Sequence, residues 1–283
     1  MLLTPLPTLL VEPLVRQALI EDLGRAGDIT TDAIAPLDCT ARTVMAARQE
    51  GVIAGLDLAA IAFRLMDPAV RFKPVLADGA HVAPGASVAI VEGPARGILS
   101  AERVSLNFVS RLSGIASATA RLVVAVAHTK ARIVCTRKTT PLLRSIEKYA
   151  VRAGGGANHR FGLDDAALIK DNHVAIAGGV AEAIRRVRGH VGHLVKIEVE
   201  VDTLAQLEEA LRIGVDAVLL DNMSLVGLRR AVTMIGGRAI SEASGRVTLE
   251  AAPLIAATGV DLISVGWLTH SAPILDVGLD YLA

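Results

Sequence analysis

The chain has 283 residues, of which 52% are hydrophobic and 20% are charged. This length can hold one large domain, or a barrel with a smaller attached domain, and the apolar content supplies ample core without disulfides. The 29 basic residues balance the 29 acidic residues, and only 2% of residues are aromatic. We therefore expect neither nucleic acid nor membrane as a partner, since both the basic footprint and the base-stacking platforms are lacking.

The N-terminal segment and the cysteines bear on the cellular compartment. The first residues are apolar but lack a basic leader, and Pro5, Pro7 and Glu12 interrupt them before a signal-peptide core could form. No apolar run of the roughly 20 residues that cross a bilayer is predicted. Cys39 and Cys135 fit no metal or redox spacing. These features predict a cytoplasmic protein with two buried, reduced thiols.

The first part of the chain has the pattern of an antiparallel sandwich. Residues 40–97 contain short β-type runs separated by Asp-Gly and Pro-Gly turns. Residues 56–66 predict a helix lying on those strands. Ser100 is a candidate N-cap for a further helix, and Gly114 is expected to break it before another helix over residues 117–128. This helix pair would connect two domains.

The rest of the chain alternates β-type and α-type stretches, which is typical of a parallel sheet. Helices are predicted at residues 204–213 and 225–235. The predicted strands are residues 132–135, 167–169, 194–201, 217–220, 238–240 and 262–265. Polar or glycine residues follow almost every strand, which favours a closed barrel over an open sheet, because in an open sheet only the switch point contributes to a site.

These patterns together predict an α/β fold with a barrel of fewer than eight strands. We expect an incomplete parallel α/β barrel with an N-terminal α/β sandwich domain. The predicted boundaries are residues 1–114 for the sandwich domain with its connector helix, 115–268 for the catalytic barrel, and 269–283 for a tail that packs on the N-terminal domain.

Basic side chains recur between residues 136 and 173. They alternate with apolar or glycine-rich stretches instead of lying on one helix face, so we expect them to converge on a polyanionic ligand. The five candidates are Arg137, Lys138, His159, Arg160 and Lys170. Three other basic residues have the four-residue spacing of a solvated helix face, and these are Arg144, Lys148 and Arg152.

Acidic side chains would form the other half of the rim. Glu198 and Glu200 lie two apart on a predicted strand and so point to the same face. Lys196 shares that face, so Glu198 fits a structural Lys–Glu–Glu network or a functional role, whereas the position of Glu200 near the strand end favours function. Asp221 closes the next strand and would bind a ribose diol, directly or with a divalent cation, or else cap a helix.

Glycines follow the last strands. Ser244-Gly245 and Val265-Gly266 lie where barrels often bind phosphate through backbone N–H groups. The glycine run at residues 154–156 fits a phosphate-binding nest or a flexible link equally well. No nucleophile with an adjacent base, no H-E-x-x-H and no CxxC motif is present, so the predicted site works by electrostatics.

Seven motifs resemble one enzyme family across essentially the whole chain. They are E-D-L-G-R-A-G-D-I-T-T at 21–31, A-E-R-V-S-L-N-F at 101–108, C-T-R-K-T-T-P at 135–141, E-K-Y-A-V-R-A-G-G-G-A-N-H-R-F-G-L-D-D at 147–165, I-K-D-N-H at 169–173, E-V-E-V at 198–201 and L-L-D-N-M at 219–223. Taken jointly they resemble the quinolinate phosphoribosyltransferases, which are type II phosphoribosyltransferases.

The resemblance implies a reaction, a cofactor and an assembly. Quinolinate and phosphoribosyl pyrophosphate would give nicotinate mononucleotide, pyrophosphate and CO₂ in NAD biosynthesis, with Mg²⁺ as cofactor. The enzyme would be a homodimer, or a higher oligomer, in which Arg103 of the A-E-R motif enters the neighbouring site.

The resemblance also implies roles for the rim residues. Lys138, Lys170, Glu200 and Asp221 would be catalytic, and Glu200 and Asp221 would hold the ribose hydroxyls and the associated Mg²⁺. The two carboxylates of quinolinate and the pyrophosphate would bind Arg137, Lys138, His159, Arg160 and Lys170, with Thr136 in the same motif. The 5′-phosphate would contact Ser244, Gly245 and Gly266, next to Val265.

The chain departs from the expected family pattern at three positions. Leu142 and Arg246 stand where glycine is expected, and Trp267 stands where alanine is expected. Arg246 would add a phosphate contact, or its bulk would prevent a backbone approach that glycine allows. Trp267 would fill space below the rim. Both flank the expected phosphate site and are counted among its candidates.

Three alternatives to this function follow from the same residues. The related molybdenum-transport-associated homologues share the fold, but the K-D-N-H and E-K-Y-A-V pattern is not expected of them. A Schiff-base aldolase would use Lys170 or Lys138, and borohydride trapping would detect it. A catalytically silent paralogue would bind phosphoribosyl pyrophosphate without turnover.

Overall fold

The computed structural model describes residues 3–282 and forms two compact units. The first unit contains the described residues up to 120, residues 145–155 and the described residues from 271 onwards, and the second contains residues 121–144 and 156–270. The predicted boundaries differ from these units in assigning residues 115–120 and 145–155 to the barrel and residues 269–270 to the tail. The predicted domain ends at residues 1–2 and 283 lie outside the described residues.

The elements follow one another along the chain in this order: α1 (Thr8–Leu23), α2 (Ile29–Ile34), β1 (Thr40–Ala47), β2 (Gly51–Val52), α3 (Leu56–Met66), β3 (Arg71–Pro74), β4 (His81–Val82), β5 (Ser87–Pro94), α4 (Ala95–Val126), β6 (Arg132–Val134), α5 (Arg144–Ala153), β7 (Ala167–Ile169), α6 (Asp171–Ala177), α7 (Val180–His190), β8 (Ile197–Val201), α8 (Leu204–Ile213), β9 (Ala217–Asp221), α9 (Leu225–Ile235), β10 (Ile240–Ser244), α10 (Ala252–Ala256), β11 (Leu262–Ser264), α11 (Trp267–His270) and β12 (Val277–Tyr281).

Within the described residues, the first unit is built on a four-stranded antiparallel sheet in the order β12-β1-β5-β3. Its core includes Met45, Phe63 and Val91, which are fully buried. The ring of Phe63 on α3 stacks on Phe72 of β3 at 5.9 Å, so this helix covers one face of the sheet. The predicted helix over residues 56–66 is confirmed.

The long helix α4 runs without a break through Gly114, so the prediction of two helices separated there is wrong. A Cβ atom at Gly114 would lie 2.0 Å from the carbonyl oxygen of Pro273 and 2.8 Å from the Cα of Ile274. The glycine therefore permits a close backbone approach and does not end the helix. An 18-residue window of α4 is apolar enough to cross a membrane, but 67% of it is buried, as in a core helix.

Helix α5 is buried instead of solvated, which corrects the prediction for its basic residues. Lys148 is 2% exposed, and Arg152 is half-buried. Glu147 is fully buried and accepts a hydrogen bond from Arg111 Nη2 at 2.8 Å. The hydroxyl of Tyr149 donates to Asp78 Oδ2 at 2.7 Å. These contacts explain why residues 145–155 pack with the first unit.

The glycine run at residues 154–156 has a packing role at its first position. A Cβ atom at Gly154 would lie 2.3 Å from the carbonyl oxygen of Ala116. Gly154 therefore allows α5 and α4 to approach closely, and it is neither a phosphate nest nor a free link.

The described residues of the second unit form a six-stranded parallel sheet in the order β6-β11-β10-β9-β8-β7. The edge strands are β6 and β7, and beyond β6 there is a single parallel bridge from Val134 to Ala157, which agrees with an incomplete barrel. Helices α8 and α9 have the predicted bounds. Strand β10 begins at residue 240 and not at 238, because Arg238 belongs to the turn after α9 and its Nε donates to the carbonyl oxygen of Ile235.

Strand β8 begins later than predicted. Its first residue is Ile197, whereas the prediction began at residue 194. Leu194 is 85% exposed and lies in the preceding loop. The prediction began the strand at Leu194 because this residue is apolar, although its side chain faces away from the core.

Three non-glycine residues among those described have a positive φ, and two of them are the positions where glycine was expected. Leu142 has φ 67° and Arg246 has φ 47°, and the third is Asn222 with φ 50°. This left-handed region favours glycine and tolerates asparagine, because a Cβ atom crowds the backbone there. The departures at 142 and 246 thus place side chains on strained backbone.

Replacing Gly114 by alanine should destabilise the protein by about 1–3 kcal/mol, because the added methyl overlaps a backbone carbonyl. Urea unfolding followed by circular dichroism would measure the loss. Gly189→Ala is the matched control, since Gly189 lies in α7 with no atom within 4 Å of its Cβ position. That control should gain about 0.5–1 kcal/mol from helix propensity. Equal effects of the two substitutions would contradict the packing role of Gly114.

Replacing Leu142 by glycine should stabilise the protein by a few tenths to about 1 kcal/mol, because relief of the left-handed strain of about 1–2 kcal/mol exceeds the added entropy of the unfolded chain. The side chain is 87% exposed, so little packing is lost. Leu142→Ala keeps the Cβ atom and should give no gain. A melting temperature raised by alanine as much as by glycine would assign the effect to loss of the exposed leucine.

Candidate active site

A cavity of about 570 Å³ lies at the carboxyl ends of the six parallel strands of the second unit. Glu198, which the sequence analysis also considered for the rim, does not line it, but fourteen other predicted residues do: Thr136, Arg137, Lys138, His159, Arg160, Lys170, Glu200, Asp221, Ser244, Gly245, Arg246, Val265, Gly266 and Trp267. Arg103, for which a role in a partner's site was predicted, lies exposed on α4 of the first unit.

The cationic half of the cavity contains two arginines with unpaired donors. Arg137 Nε and Arg160 Nε are buried and have no hydrogen-bond acceptor. The other side of Arg160 is fixed, because its Nη1 donates to the carbonyl oxygen of Ala166 at 3.1 Å. Burial, helped by the neighbouring charge of Arg137, lowers the pKa of Arg160 from its usual value. An anion between the two guanidinium groups would satisfy both donors.

The loop after β6 is held in shape by hydroxyl groups. Thr136 Oγ1 accepts a hydrogen bond from the backbone N–H of Lys138 at 3.0 Å, and Thr269 Oγ1 donates to the carbonyl oxygen of Lys138 at 2.8 Å. Arg144 is half-buried, contrary to the prediction of a solvated residue. Its guanidinium donates to Thr139 Oγ1 and to the carbonyl oxygen of Phe161, and so ties the loops that carry the cations.

His159 lies between two buried carboxylates. Its Nε2 lies 2.9 Å from Glu198 Oε2 and 3.7 Å from Glu242 Oε1. The predicted Lys–Glu–Glu network is wrong, because Lys196 points away and its Nζ donates to Asp216 Oδ1 at 2.6 Å. Glu198 is paired with the histidine instead.

The acidic half contains Glu200 and Asp221. Lys170 Nζ lies 3.8 Å from Glu200 Oε2, where cationic and acidic halves meet. Burial raises the pKa of Glu200; Lys170 opposes this shift and Asp221 adds to it. Asp221 Oδ2 accepts a hydrogen bond from Asn222 Nδ2 at 2.6 Å, which orients its carboxylate.

Two loops interlock at the far end of the cavity. The backbone N–H of Asn222 donates to the carbonyl oxygen of Ser244 at 3.0 Å. Gly245 has φ 104°, and a Cβ atom there would lie 2.2 Å from Asn222 Oδ1. Glycine is therefore required at 245 for two reasons, the backbone conformation and the close contact.

Trp267 fixes the loop that carries Arg246. Its indole Nε1 donates to the carbonyl oxygen of Val247 at 2.9 Å, so it does more than fill space below the rim. Arg246 is exposed on this loop and still borders the cavity. At the neighbouring turn a Cβ atom on Gly266 would lie 3.0 Å from Lys138 Cδ, so Gly266 makes room for that lysine.

Seven lining residues were absent from the predicted site, and these are Leu168, Leu219, Asn222, Glu242, Val247, Ser264 and His270. Asn222 and Glu242 are among the polar residues that follow the predicted strands, although neither was given a role. Glu242 also lies two residues before Ser244 on β10, and strand alternation puts both side chains on the same face. The two leucines had no such signal, because apolar residues on a strand look alike whether they line a cavity or a core.

Comparisons with known proteins were consistent across both units. Family models match at residues 28–113, described as "Quinolinate phosphoribosyl transferase, N-terminal domain", and at residues 115–280, described as the C-terminal domain of the same family. The carboxylating nicotinate-nucleotide pyrophosphorylase of Mycobacterium leprae is 46% identical over 94% of this chain and 95% of that protein.

Further relatives cover nearly the whole length. A probable carboxylating nicotinate-nucleotide pyrophosphorylase of Bacillus subtilis is 43% identical over 95% of this chain and 93% of that protein. The crystal structure of NadC from Streptococcus pyogenes superimposes with a TM-score of 0.94 at 42% identity, over 99% of this chain and 100% of that one. Because both family domains and full-length relatives match, this chain belongs to the quinolinate phosphoribosyltransferase family.

Proposed function

We propose that this chain transfers the phosphoribosyl group of phosphoribosyl pyrophosphate to the ring nitrogen of quinolinate, with loss of CO₂, to make nicotinate mononucleotide for NAD biosynthesis. Membership of the family supports the reaction. The observation that carries the assignment to this cavity is the pair of buried, unpaired Nε–H donors on Arg137 and Arg160. A dicarboxylate would supply the acceptors that these donors lack.

The cationic half of the cavity is proposed to bind quinolinate and the pyrophosphate. Arg137 and Arg160 would hold the carboxylates through their planar guanidinium groups. Lys138 and Lys170 would neutralise the leaving pyrophosphate as point charges. Lys170 is half-exposed and its Nζ lies 3.8 Å from Glu200 Oε2, whereas a Schiff-base lysine is activated by a desolvated hydrophobic pocket.

The acidic half is proposed to bind the ribose and Mg²⁺. Glu200 and Asp221 offer carboxylate oxygens at the mouth of β8 and β9, which suits a hard cation that is bound by one or two carboxylates plus the phosphates of a substrate. When bound there, Mg²⁺ would neutralise charge on the pyrophosphate. The two carboxylates would also accept hydrogen bonds from the ribose hydroxyls.

The interlocked loops are proposed to bind the 5′-phosphate. Ser244, Gly245 and Gly266 would present backbone N–H groups and a hydroxyl to it. Arg246 would add a cation on its strained loop, since no hydrogen bond or ion pair involves its guanidinium among the described residues.

The chemistry then follows from position and charge. As the bond from C1 of the ribose to pyrophosphate breaks, positive charge develops on the sugar and negative charge on the leaving group, where the lysines lie. Alignment of the ring nitrogen with C1 contributes up to about 7–11 kcal/mol. The quaternised ring then stabilises the electron pair left on the ring carbon when CO₂ departs, and that carbon takes up a proton from solvent, so no general base is needed.

The assembly and the location are further proposals. We propose a homodimer in which Arg103 contributes to the partner's cavity, as the resemblance implies. The exposure of Arg103 on α4 supports this role. We also propose a cytoplasmic location, supported by Cys39 and Cys135, which are not joined in a disulfide, and cell fractionation would check it.

Release of CO₂ from carboxyl-labelled quinolinate tests the function. Purified protein should release it only when phosphoribosyl pyrophosphate and Mg²⁺ are both present. Arg137→Ala should lower the rate by about 10²–10³-fold through loss of an anion donor. Arg230→Ala on α9 is the control, because it removes an exposed arginine outside the cavity.

Two results would contradict the proposal. Release that does not depend on phosphoribosyl pyrophosphate would exclude phosphoribosyl transfer. Binding of both substrates without release would support the silent paralogue instead.

Mixing two inactive variants tests the role of Arg103. Arg103→Ala and Lys170→Ala should each be nearly inactive alone. If Arg103 acts in the partner's cavity, half of the randomly mixed dimers regain one intact site, so the mixture should recover about a quarter of wild-type activity. No recovery, with mixed dimers detected by mass, would place Arg103 in its own subunit's site or outside any site.

A further inference from the structure

His159, Glu198 and Glu242 form a polar cluster at the cavity, and their potential ligand atoms all lie within 4.8 Å of one another. Glu242 is 1% exposed and Glu198 is 9% exposed. Each has an Oε1 atom that is buried and has no hydrogen-bond partner. His159 and Glu242 border the cavity directly. Two unpaired carboxylate oxygens beneath a site for anions require an explanation.

The hydrogen bonds of His159 fix its tautomer. Its Nδ1 accepts a hydrogen bond from the backbone N–H of Arg160 at 2.7 Å, so this nitrogen carries no proton. The proton of the neutral ring therefore lies on Nε2, which donates to Glu198 Oε2 at 2.9 Å. The hydrogen of Nε2 is therefore used by Glu198.

A second proton is needed at Glu242. Its Oε1 lies 3.7 Å from His159 Nε2, whose hydrogen is already used by Glu198. Burial, followed by the negative charge of Glu198, raises the pKa of Glu242 to about 7; His159 and a hydrogen bond with Ser264 oppose the shift. The remaining titratable groups that line the same cavity are Arg137, Lys138, Arg160, Lys170, Glu200, Asp221, Arg246 and His270.

A divalent cation would fit this cluster less well than a proton on Glu242 does. It would need the lone pair of His159 Nε2, which requires the proton to move to Nδ1. That proton would then face the backbone N–H of Arg160 at 2.7 Å. A proton on Glu242 resolves the same charge repulsion without this conflict.

We propose that Glu242 is a further ligand-binding residue of the cavity, which acts as a neutral carboxylic acid and donates a hydrogen bond to a carboxylate oxygen of the aromatic dicarboxylate ligand. The inference rests on the proposed function, because the ligand is the quinolinate assigned there. Glu242 would complement Arg137 and Arg160, which offer the other unpaired donors. Glu198 and His159 are positioning residues that keep the proton on Glu242.

Ionisation of Glu242 would reverse its effect on the ligand. The carboxylate can only accept hydrogen bonds, and it would place a negative charge below a dianion. Affinity for quinolinate should therefore fall as the pH rises through about 7. Binding of the dianion near that pH should take up a proton.

The test is the dissociation constant of quinolinate between about pH 6 and pH 8.5. The chain has one tryptophan, Trp267, and it borders the cavity, so its fluorescence reports binding. In the wild type the dissociation constant should rise up to roughly tenfold for each pH unit above the pKa of Glu242. Glu242→Gln, a permanently neutral donor, should keep the low-pH affinity at every pH.

Two further variants separate donation from charge. Glu242→Leu is neutral but cannot donate, so it should bind about tenfold more weakly than Glu242→Gln and show the same flat pH profile. Glu208→Gln on α8 removes an exposed carboxylate and should leave the wild-type profile unchanged. Equal binding by the glutamine and leucine variants would overturn the donor role.

Protein stability tests the protonation of Glu242 without any ligand. Because the folded pKa lies above the usual value of 4.5, the folded state binds more protons between these values, and stability falls as pH rises through about 7. The melting temperature of Glu242→Gln should exceed that of the wild type at pH 8.5 by more than at pH 5. A difference that does not change with pH would overturn the inference.

The two proposals fail in different ways. A wild type that binds no quinolinate at any pH would overturn the proposed function and this inference with it. A wild type that binds and turns over quinolinate, with a dissociation constant that does not depend on pH, would overturn only the role of Glu242.

Discussion

The second unit brings charged groups together at the rim of its parallel sheet, and several of their buried polar atoms lack a hydrogen-bond partner. Arg137 and Arg160 bury Nε–H donors that have no acceptor, and Glu198 and Glu242 bury oxygens that have no donor. Each unmet group costs about 1–3 kcal/mol, or more when it is charged. The fold keeps these groups because strands and loops hold them in place. A dicarboxylate ligand would supply acceptors for the two arginines, and relief of this cost would contribute to its affinity and orientation.

Hydrogen bonds around the cavity hold its rim in shape. Arg144 ties the loops that carry Thr139 and Phe161, Trp267 holds the chain at Val247, and Asn222 interlocks with Ser244. Small residues then set the spacing, and Gly245 accommodates the side chain of Asn222. A site that works by electrostatics depends on this fixed shape, since its donors must already point at the place where charge develops.

The first unit follows a different principle, in which close packing dominates. Gly114 and Gly154 let backbones approach to distances that any side chain would prevent. The paired Arg111 and Glu147 show that even charged groups are drawn into this packing. Helix α4 is apolar for the same reason, because most of it is buried against the surrounding fold.

The sequence by itself determined the class of fold and the residue types of the site. Strand alternation placed Glu200 and Asp221 at a common rim, and motif spacing singled out Arg137, Lys138 and Arg160, all of which line one cavity. Only the tertiary structure decided what depends on contacts between distant residues: why Gly114 does not break a helix, why Lys148 is buried, and why Glu198 pairs with His159 and not Lys196. Local patterns report periodicity and propensity, whereas burial and the state of a proton depend on neighbours far away in the chain.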